Sequence, residues 1–460
     1  MKIDDNATFS REELKTKGKI VYARFGRRAT KLTSKSSPRV LLLQGPVGPF
    51  FQQLQTKLND SGYDAWRLCF TSGDRLFSNR HKRITYNQGM SEWPSWLDQF
   101  LTYSDIDCIV LFGCERPVHK LAIDVAQKRN IQVVSMEEGY IRPGYVTVEY
   151  GGNNRMSPLA GSLPPIDFEP SSSLKKTKSA SKSFSKMCWY GFRYYSYNFL
   201  SGLNQRATFH KNRSLTGESF CWTRNLFRKV AHQGLNFGTV ERLLEHYDKK
   251  YFVVPLQVSD DSQLRSAAKG WTNEKMILAA ISSFASHAQE ETRLVFKIHP
   301  LDRGHSTHAK LIRSIATLHK IADRVDIIDT GSLGLLVRHS AGMLTINSTS
   351  GLSAIAHAIP LLVFGEAIYS DTPFAYRASR KEEIHSFWRN THAPDRSLCS
   401  KYIAWLRENC LKPGDFYDNE GILTAIDGVM EKIAAITPAN NIFSCEIISQ
   451  VENGNTSKRA

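Results

Sequence analysis

The run Thr345, Ile346, Asn347, Ser348, Thr349, Ser350, Gly351 sets hydroxyl and amide side chains and a glycine where an apolar strand (Gly342 to Ile346) passes into a helix (Leu352 to Ala358). Such a junction leaves backbone N–H groups and the positive end of a helix facing an anion. Ser and Thr also start ordinary helices as caps, so a second piece matters. Lys297, Ile298, His299, Pro300 end an earlier strand, roughly two βα units upstream, and offer cationic or hydrogen-bonding groups. Together they point to a nucleotide-activated substrate, its phosphate facing Ser348, Thr349, Ser350 and Gly351 with Lys297 and His299.

Two further stretches supply carboxylates at strand exits. Glu137 and Glu138 precede Gly139 and Arg142; the alternative for them is a pair of solvated loop acids or a partner for Arg142. Gln257 to Gln263 offers Gln257, Asp260, Asp261 and Gln263, with helix capping by Asp261 or Ser262 as the ordinary explanation. One carboxylate from each half, facing the other across a cleft, suits glycosyl transfer: retention can use two, inversion needs only a base. Gln44 to Pro49 contains two prolines and does not match G-x-G-x-x-G. Gln44, Gly45 and Gly48 better suit close approach of a sugar or acceptor. No P-loop, H-E-x-x-H or G-x-S-x-G string occurs, which argues against P-loop ATPases, zincins and α/β-hydrolases. No Asp-x-Asp pair stands at a strand exit, so a metal-dependent transferase is disfavoured and neither metal nor cofactor is expected.

The elements that must position these groups alternate strand and helix. Strands are expected at Val40–Leu43, Tyr63–Phe70, Asp107–Phe112 and Ile131–Met136, with helices from Phe50, over Trp93–Tyr103 and over His119–Arg129. A second series expects strands at Tyr251–Leu256, Arg293–Ile298, Val325–Ile328, Ala341–Ile346 and Leu361–Phe364. Its helices are expected at Asn273–His287, His308–His319 and Leu333–His339, with a helical tail over Ser397–Cys410 and Gly421–Ile436. Alternation of this kind implies parallel sheets covered on both faces. The expected fold is α/β: two Rossmann-like domains facing a cleft, GT-B-like, with a C-terminal helical region. The expected division is a flexible leader (1–37), an N-terminal domain on the acceptor side (38–160), a basic aromatic connector (161–240), a C-terminal nucleotide-sugar domain with terminal helices (241–440) and a tail (441–460).

The 460 residues carry a formal net charge of +16, and the excess is concentrated. Between Ser171 and Val230 seven lysines and five arginines stand against one acid, Glu218, interleaved with Trp189, Tyr190, Phe192, Tyr194, Tyr195, Tyr197, Phe199 and others. The tract reads either as an inter-domain helical layer with aromatic core residues or as an interfacial patch holding anionic lipid. No nucleic-acid recognition module accompanies the charge. The eight cysteines form no C-x-x-C pair, and no apolar run reaches membrane-spanning length. A cytoplasmic protein is expected, meeting the inner membrane only from outside the bilayer.

Collectively the motifs resemble those of the capsule polysaccharide biosynthesis and export proteins of the KpsS/LipB type. The resemblance runs from about Arg39 to Tyr369 and rests on QGPVGPFF, EEGYIRP with the downstream GGNN (Gly151 to Asn154), QVSDDSQ, KIHP, and INSTSGLSA leading to PLLVFGEAIY. It implies a retaining β-Kdo transferase that uses CMP-Kdo and builds a Kdo linker on a phosphatidylglycerol-type lipid for capsule export. It implies His299 and Pro300 at the cytidine nucleotide, Ser348 to Ser350 at its phosphate, Gln257 and Asp261 in the Gln/Asp motif, and Glu137 and Glu138 in the Glu-Glu-Gly motif. Asp261 as nucleophile and Glu138 as acid or base follow as the expected roles, with Asp260 and Glu137 as neighbouring alternatives. The implied partners are CMP-Kdo, an anionic phospholipid acceptor, the inner-membrane surface and other capsule synthesis and export proteins. The rival readings are a non-catalytic export component that binds the lipid-linked chain, and an inverting transferase using another CMP-sugar.

Overall fold

The computed structural model describes residues 37–171, 183–201, 234, 236–258, 264, 267–300, 302, 307–378, 380–389 and 392–437. They form two compact units. The first gathers the described residues within Met1–Met136, Ala180–Phe209 and Pro413–Ala460; the second gathers those within Glu137–Ser179 and His210–Lys412. Residues 137–160 thus group with the second unit, and the chain beyond Lys412 groups with the first.

In the first unit the order is β1 (Arg39–Leu42), α1 (Phe50–Asp60), β2 (Asp64–Cys69), α2 (Ser72–Leu76), β3 (Arg83–Thr85), α3 (Trp93–Ser104), β4 (Cys108–Phe112), α4 (Pro117–Lys128) and β5 (Gln132–Glu138), whose last two residues open the second unit. These strands run parallel in the order β5-β4-β1-β2-β3, with Leu41 opposite both Trp66 and Ile109. Val40 to Leu43 and Cys108 to Leu111 are wholly buried, as apolar runs covered on both faces must be. α5 (Ser183–Asn198) packs on α2.

The second unit begins with β6 (Tyr145–Tyr150) and a helix over residues 236–246. It continues with β7 (Tyr251–Pro255), α6 (Asn273–His287), β8 (Arg293–Lys297), α7 (His308–Leu318), β9 (Val325–Ile328), α8 (Leu333–Arg338), β10 (Gly342–Thr345), α9 (Gly351–Ala356), β11 (Leu361–Val363), β12 (Tyr376–Arg377), α10 (Arg396–Cys410) and β13 (Leu411–Pro413). Strands β12-β11-β10-β7-β8-β9 form one parallel sheet in that order. Alternate residues feed two cores: Tyr251, Val253, Val295, Met343 and Leu361 on one face, Phe252, Val254, Leu294, Phe296, Leu344 and Leu362 on the other. The helix α11 (Asn419–Ile436) returns to the first unit, where Phe416, just before it, meets Phe50 and Phe112 edge-on at 4.9 and 5.1 Å. No helix among the described residues is long and apolar enough to cross a membrane.

Candidate functional site

In the second sheet the chain winds outward in both directions from β7 and β10, and open α/β sheets place ligands beyond the strand ends at that switch point. Gln257 follows β7 and Asn347 follows β10, both almost wholly buried. The Gln257 amide donates to Asn347 Oδ1 at 2.9 Å and accepts from the Asn347 N–H at 3.4 Å. Asn273, at the start of α6, donates to the Gln257 carbonyl at 2.8 Å and accepts its N–H at 3.2 Å. A buried amide pair of this kind fixes the two loop mouths against each other, because losing either partner strands a desolvated polar group.

Beyond Asn347 the chain makes a tight turn. Ser350 donates through its hydroxyl to Ser348 Oγ at 2.8 Å and through its N–H at 3.2 Å, while the Tyr369 hydroxyl donates to the Ser348 carbonyl. Gly351 is required there: a Cβ would stand 2.1 Å from the Tyr369 hydroxyl oxygen. Ser348, Thr349 and Ser350 are half-buried. α9 has six residues, fewer than two turns, so its dipole contributes little and the hydroxyls and nearby cations carry any anion binding.

His299 and Pro300 leave β8 beside this turn's strand neighbour. Burial, then Arg142, then Lys297 hold the His299 imidazole down at about 4, so at neutral pH it is an uncharged hydrogen-bonding ring. The positive charge in its surroundings comes from Lys297, which donates to the Thr330 carbonyl at 3.1 Å, and from Arg142, whose Nε donates to the Gly139 carbonyl at 3.0 Å.

Glu137 and Glu138, which the sequence assigns to the N-terminal half, belong to the same compact unit as His299, Gln257 and Asn347. Both are half-buried, and Thr147 of β6 donates to the Glu138 carbonyl at 3.1 Å. Tyr140 donates to Glu149 at 2.5 Å, and Asn153 and Ser157 donate to the same carboxylate. Burial pushes the Glu149 carboxyl above its ordinary range. Asn154, in the left-handed region at φ 55°, ties this loop to the turn after β10: its amide donates to the Asn347 carbonyl at 3.3 Å and accepts the Ile368 N–H at 2.9 Å. The string GGNN by itself gives Asn154 no role. Asn at a glycine-rich turn, a residue that tolerates φ > 0, was the available signal.

Asp260, Asp261 and Gln263 lie outside the described residues. Gln44, Gly45 and Gly48 lie in the first unit and have partners there. The Gln44 amide donates to Asp74 at 3.3 Å and to the Tyr194 hydroxyl at 3.1 Å, and accepts from Arg116 at 2.9 Å. The Phe51 ring would stand 2.7 Å from a Cβ at Gly45 and the Tyr190 ring 2.8 Å from one at Gly48, so aromatic packing accounts for both glycines.

The chain is similar to known proteins. E. coli "Capsule polysaccharide export protein KpsS" is 33% identical over 382 residues, which is 81% of this chain and 95% of that protein. Neisseria meningitidis serogroup B "Capsule polysaccharide modification protein LipB" is 30% identical over 394 residues, 83% of this chain and 92% of that protein. Among solved structures, Thermosulfurimonas dismutans KpsC, a "beta Kdo 2,7 transferase", aligns over 85% of this chain and 99% of its own at 12% identity, with a TM-score of 0.38. The family model described as "Capsule polysaccharide biosynthesis protein" matches residues 107–417, a span that holds the Glu-Glu-Gly loop, the Gln257–Asn347 pair, His299 and the serine turn. The chain belongs to the capsule polysaccharide biosynthesis protein family.

Proposed function

We propose that this protein is a retaining glycosyltransferase that moves Kdo from CMP-Kdo to a phosphatidylglycerol-type lipid at the cytoplasmic face of the inner membrane, building the linker on which capsular polysaccharide is made and exported. The observation that carries the reading is the gathering, in one compact unit, of Gln257, Asn347, the Ser348–Ser350 hydroxyls, His299, Lys297 and Arg142 around the β7/β10 switch point. Neutral His299 and Pro300 suit a cytosine or ribose contact. The hydroxyls, with Lys297 and Arg142, suit the single phosphate of CMP, whose charge must be stabilised as it departs.

The chemistry follows in two displacements. An Asp261 carboxylate oxygen attacks the anomeric carbon as the carbon–oxygen bond to the phosphate breaks, and CMP leaves with the bonding pair. The acceptor hydroxyl then attacks the same carbon; its proton passes to Glu138 and Asp261 is released as carboxylate. Two inversions give retention. Asp260 and Glu137 stand next in line for the two roles.

Thermal stabilisation by CMP against AMP, UMP and buffer tests the nucleotide, with several degrees expected for CMP alone. CMP release from CMP-Kdo, with and without a lipid-mimic acceptor, tests the transfer. Asp261→Ala and Asp261→Asn should each lose about 10³-fold or more in transfer while keeping the CMP shift; full turnover by both removes Asp261 from the nucleophile role. CMP binding with no CMP release from the native chain would instead assign it to binding and presentation of the lipid-linked polymer.

A further inference from the structure

The first sheet has a switch point of its own. From β1 the chain winds outward through β2 and β3 and then, on the other side, through β4 and β5, so the crevice for a ligand lies beyond the ends of β1 and β4. Two guanidiniums serve that end of β1. Arg116, in the loop after β4, is half-buried over the Phe112 ring at 5.1 Å, and its Nη1 donates to the Gln44 side-chain carbonyl at 2.9 Å and to the Gly45 carbonyl at 3.2 Å. Arg67, near the end of β2, is 3% exposed over the Phe51 ring at 4.8 Å. It donates to the Leu43 carbonyl, and its buried Nε has no hydrogen-bond partner among the described residues. The His119 ring, held low first by burial, feels the charge of both.

Among the described residues no carboxylate forms an ion pair with either guanidinium. Asp74, whose charge Arg116 feels, is already occupied: it accepts the N–H groups of Phe70 and Thr71 at 3.0 Å each, the Tyr194 hydroxyl at 2.8 Å and the Gln44 amide at 3.3 Å. Burial holds the Arg116 guanidinium below its ordinary value. A desolvated cation left without a counterion costs stability, and an arriving anion recovers it. The backbone offers such an anion little, since the Gln44 N–H is spent on His119 at 3.3 Å and Pro46 and Pro49 have none. The Arg116 side chain offers more. With Nη1 directed at Gln44 and Gly45, its Nε and Nη2 hydrogens make no hydrogen bond to the described residues, and they form the edge that matches two oxygens of one anion. Gly113, at φ 79°, keeps that edge clear: a Cβ there would stand 3.2 Å from Nε.

We propose that the crevice beyond β1 and β4 is a second binding site, in which Arg116 holds a two-oxygen anionic group, a phosphodiester or a carboxylate, and Arg67 adds to the positive field. The phosphodiester of a phospholipid acceptor and the carboxylate of an acidic sugar already attached to it share that chemistry. Calling the anion the acceptor's rests on the transferase reading. The site itself does not, because its residues all belong to the first unit and those proposed for the nucleotide to the second.

Calorimetric titration of the full chain with glycerophosphoglycerol, with free Kdo and with neutral glycerol tests it and separates the two sources. Binding of at least one anion and not of glycerol is expected, weakening with salt. Arg116→Gln should lose about tenfold or more in that affinity, and Arg116→Lys, which keeps the charge but not the fork, should lose less. Phenylglyoxal, which modifies guanidiniums, followed by peptide mapping reads the native chain alone: saturating anion should slow modification of Arg116, a result that stands even if the variants misfold. Binding of neither anion by the native chain overturns the proposal, as does unaltered modification of Arg116 under saturating anion. So does equal affinity in an Arg116→Gln chain whose β1 and β4 stay protected from hydrogen exchange. The CMP thermal shift should survive that substitution. A native chain that binds the anion but never releases CMP from CMP-Kdo fails as a transferase and keeps this site; one that releases CMP but binds neither anion fails here alone.

Discussion

A buried histidine and a half-buried one show how differently one residue type is used in the two units. His119 has no exposed surface; one ring nitrogen pairs with the Gly113 carbonyl at 2.9 Å and the other accepts the Gln44 N–H at 3.3 Å. It holds the end of β1 to the start of α4, and burial, followed by the charge of Arg116, presses its ring down to about 3. His299 is pressed to about 4 at the mouth of the second sheet. The unfolded chain takes up protons near the ordinary histidine value of about 6.5, long before either folded ring does. Stability is therefore undiminished above that value and lost progressively as pH falls toward 3. At pH 5, His119 alone accounts for about 2 kcal/mol of the loss. The melting temperature of the native chain should fall between pH 7 and pH 5, and the fall should be visibly shallower in His119→Gln, whatever that variant's offset. Parallel curves would mean that the ring titrates normally.

At the scale of elements, one asparagine links the acidic loop to the serine turn. Asn154 combines a left-handed backbone with bonds to the Asn347 carbonyl and the Ile368 N–H. Asn154→Ala loses both bonds and adds the left-handed penalty, about 1–2 kcal/mol for a residue with a Cβ; Asn154→Gly loses the bonds alone. The glycine variant should thus melt higher than the alanine variant, while both lose most of the CMP-induced shift as the turn after Asn347 loosens. A full CMP shift in both would reduce Asn154 to a backbone device. Much around this residue was readable beforehand. Asn273–His287 and Val325–Ile328 have the bounds their periodicity predicted, the first because Thr272 caps it through the Lys275 N–H. The strands buried on both faces announced themselves as unbroken apolar runs. β3, β12 and β13 did not, being two or three residues long. The Gln257–Asn347 pair was out of reach for another reason: ninety residues separate its members, and nothing local in either loop says that one amide ends on the other. The company kept by Glu137 and Glu138 was likewise set by packing, since β5 crosses from one unit to the next without a break in its pattern.

For the whole molecule, the chain leaves the first unit within β5, at Met136, comes back to it for α5 and returns a last time at Pro413, so the last helix stabilises a unit whose first strand lies far upstream. Phe416 is 1% exposed between Phe50 of α1 and Phe112 of β4, and Ile422, Ala425, Ile426, Val429 and Ile433 of α11 are buried. Asp415 and Asp418 also hold the first turn of α5. Burial of side chains of this size stabilises by about 1.5–3 kcal/mol each, so their combined loss matches the whole stability of an ordinary domain, about 5–15 kcal/mol. The second unit has its own two cores and takes nothing of its sheet from beyond Lys412. A chain ending at Lys412 should therefore lose hydrogen-exchange protection throughout β1, β2 and β4 while β7, β8 and β10 stay protected and the CMP shift persists. Phe416→Ala, costing about 3–5 kcal/mol, should lower protection in the same three strands by a smaller amount. Uniform loss across both sheets would show that the two units fold as one and that the second unit depends on the returning helix.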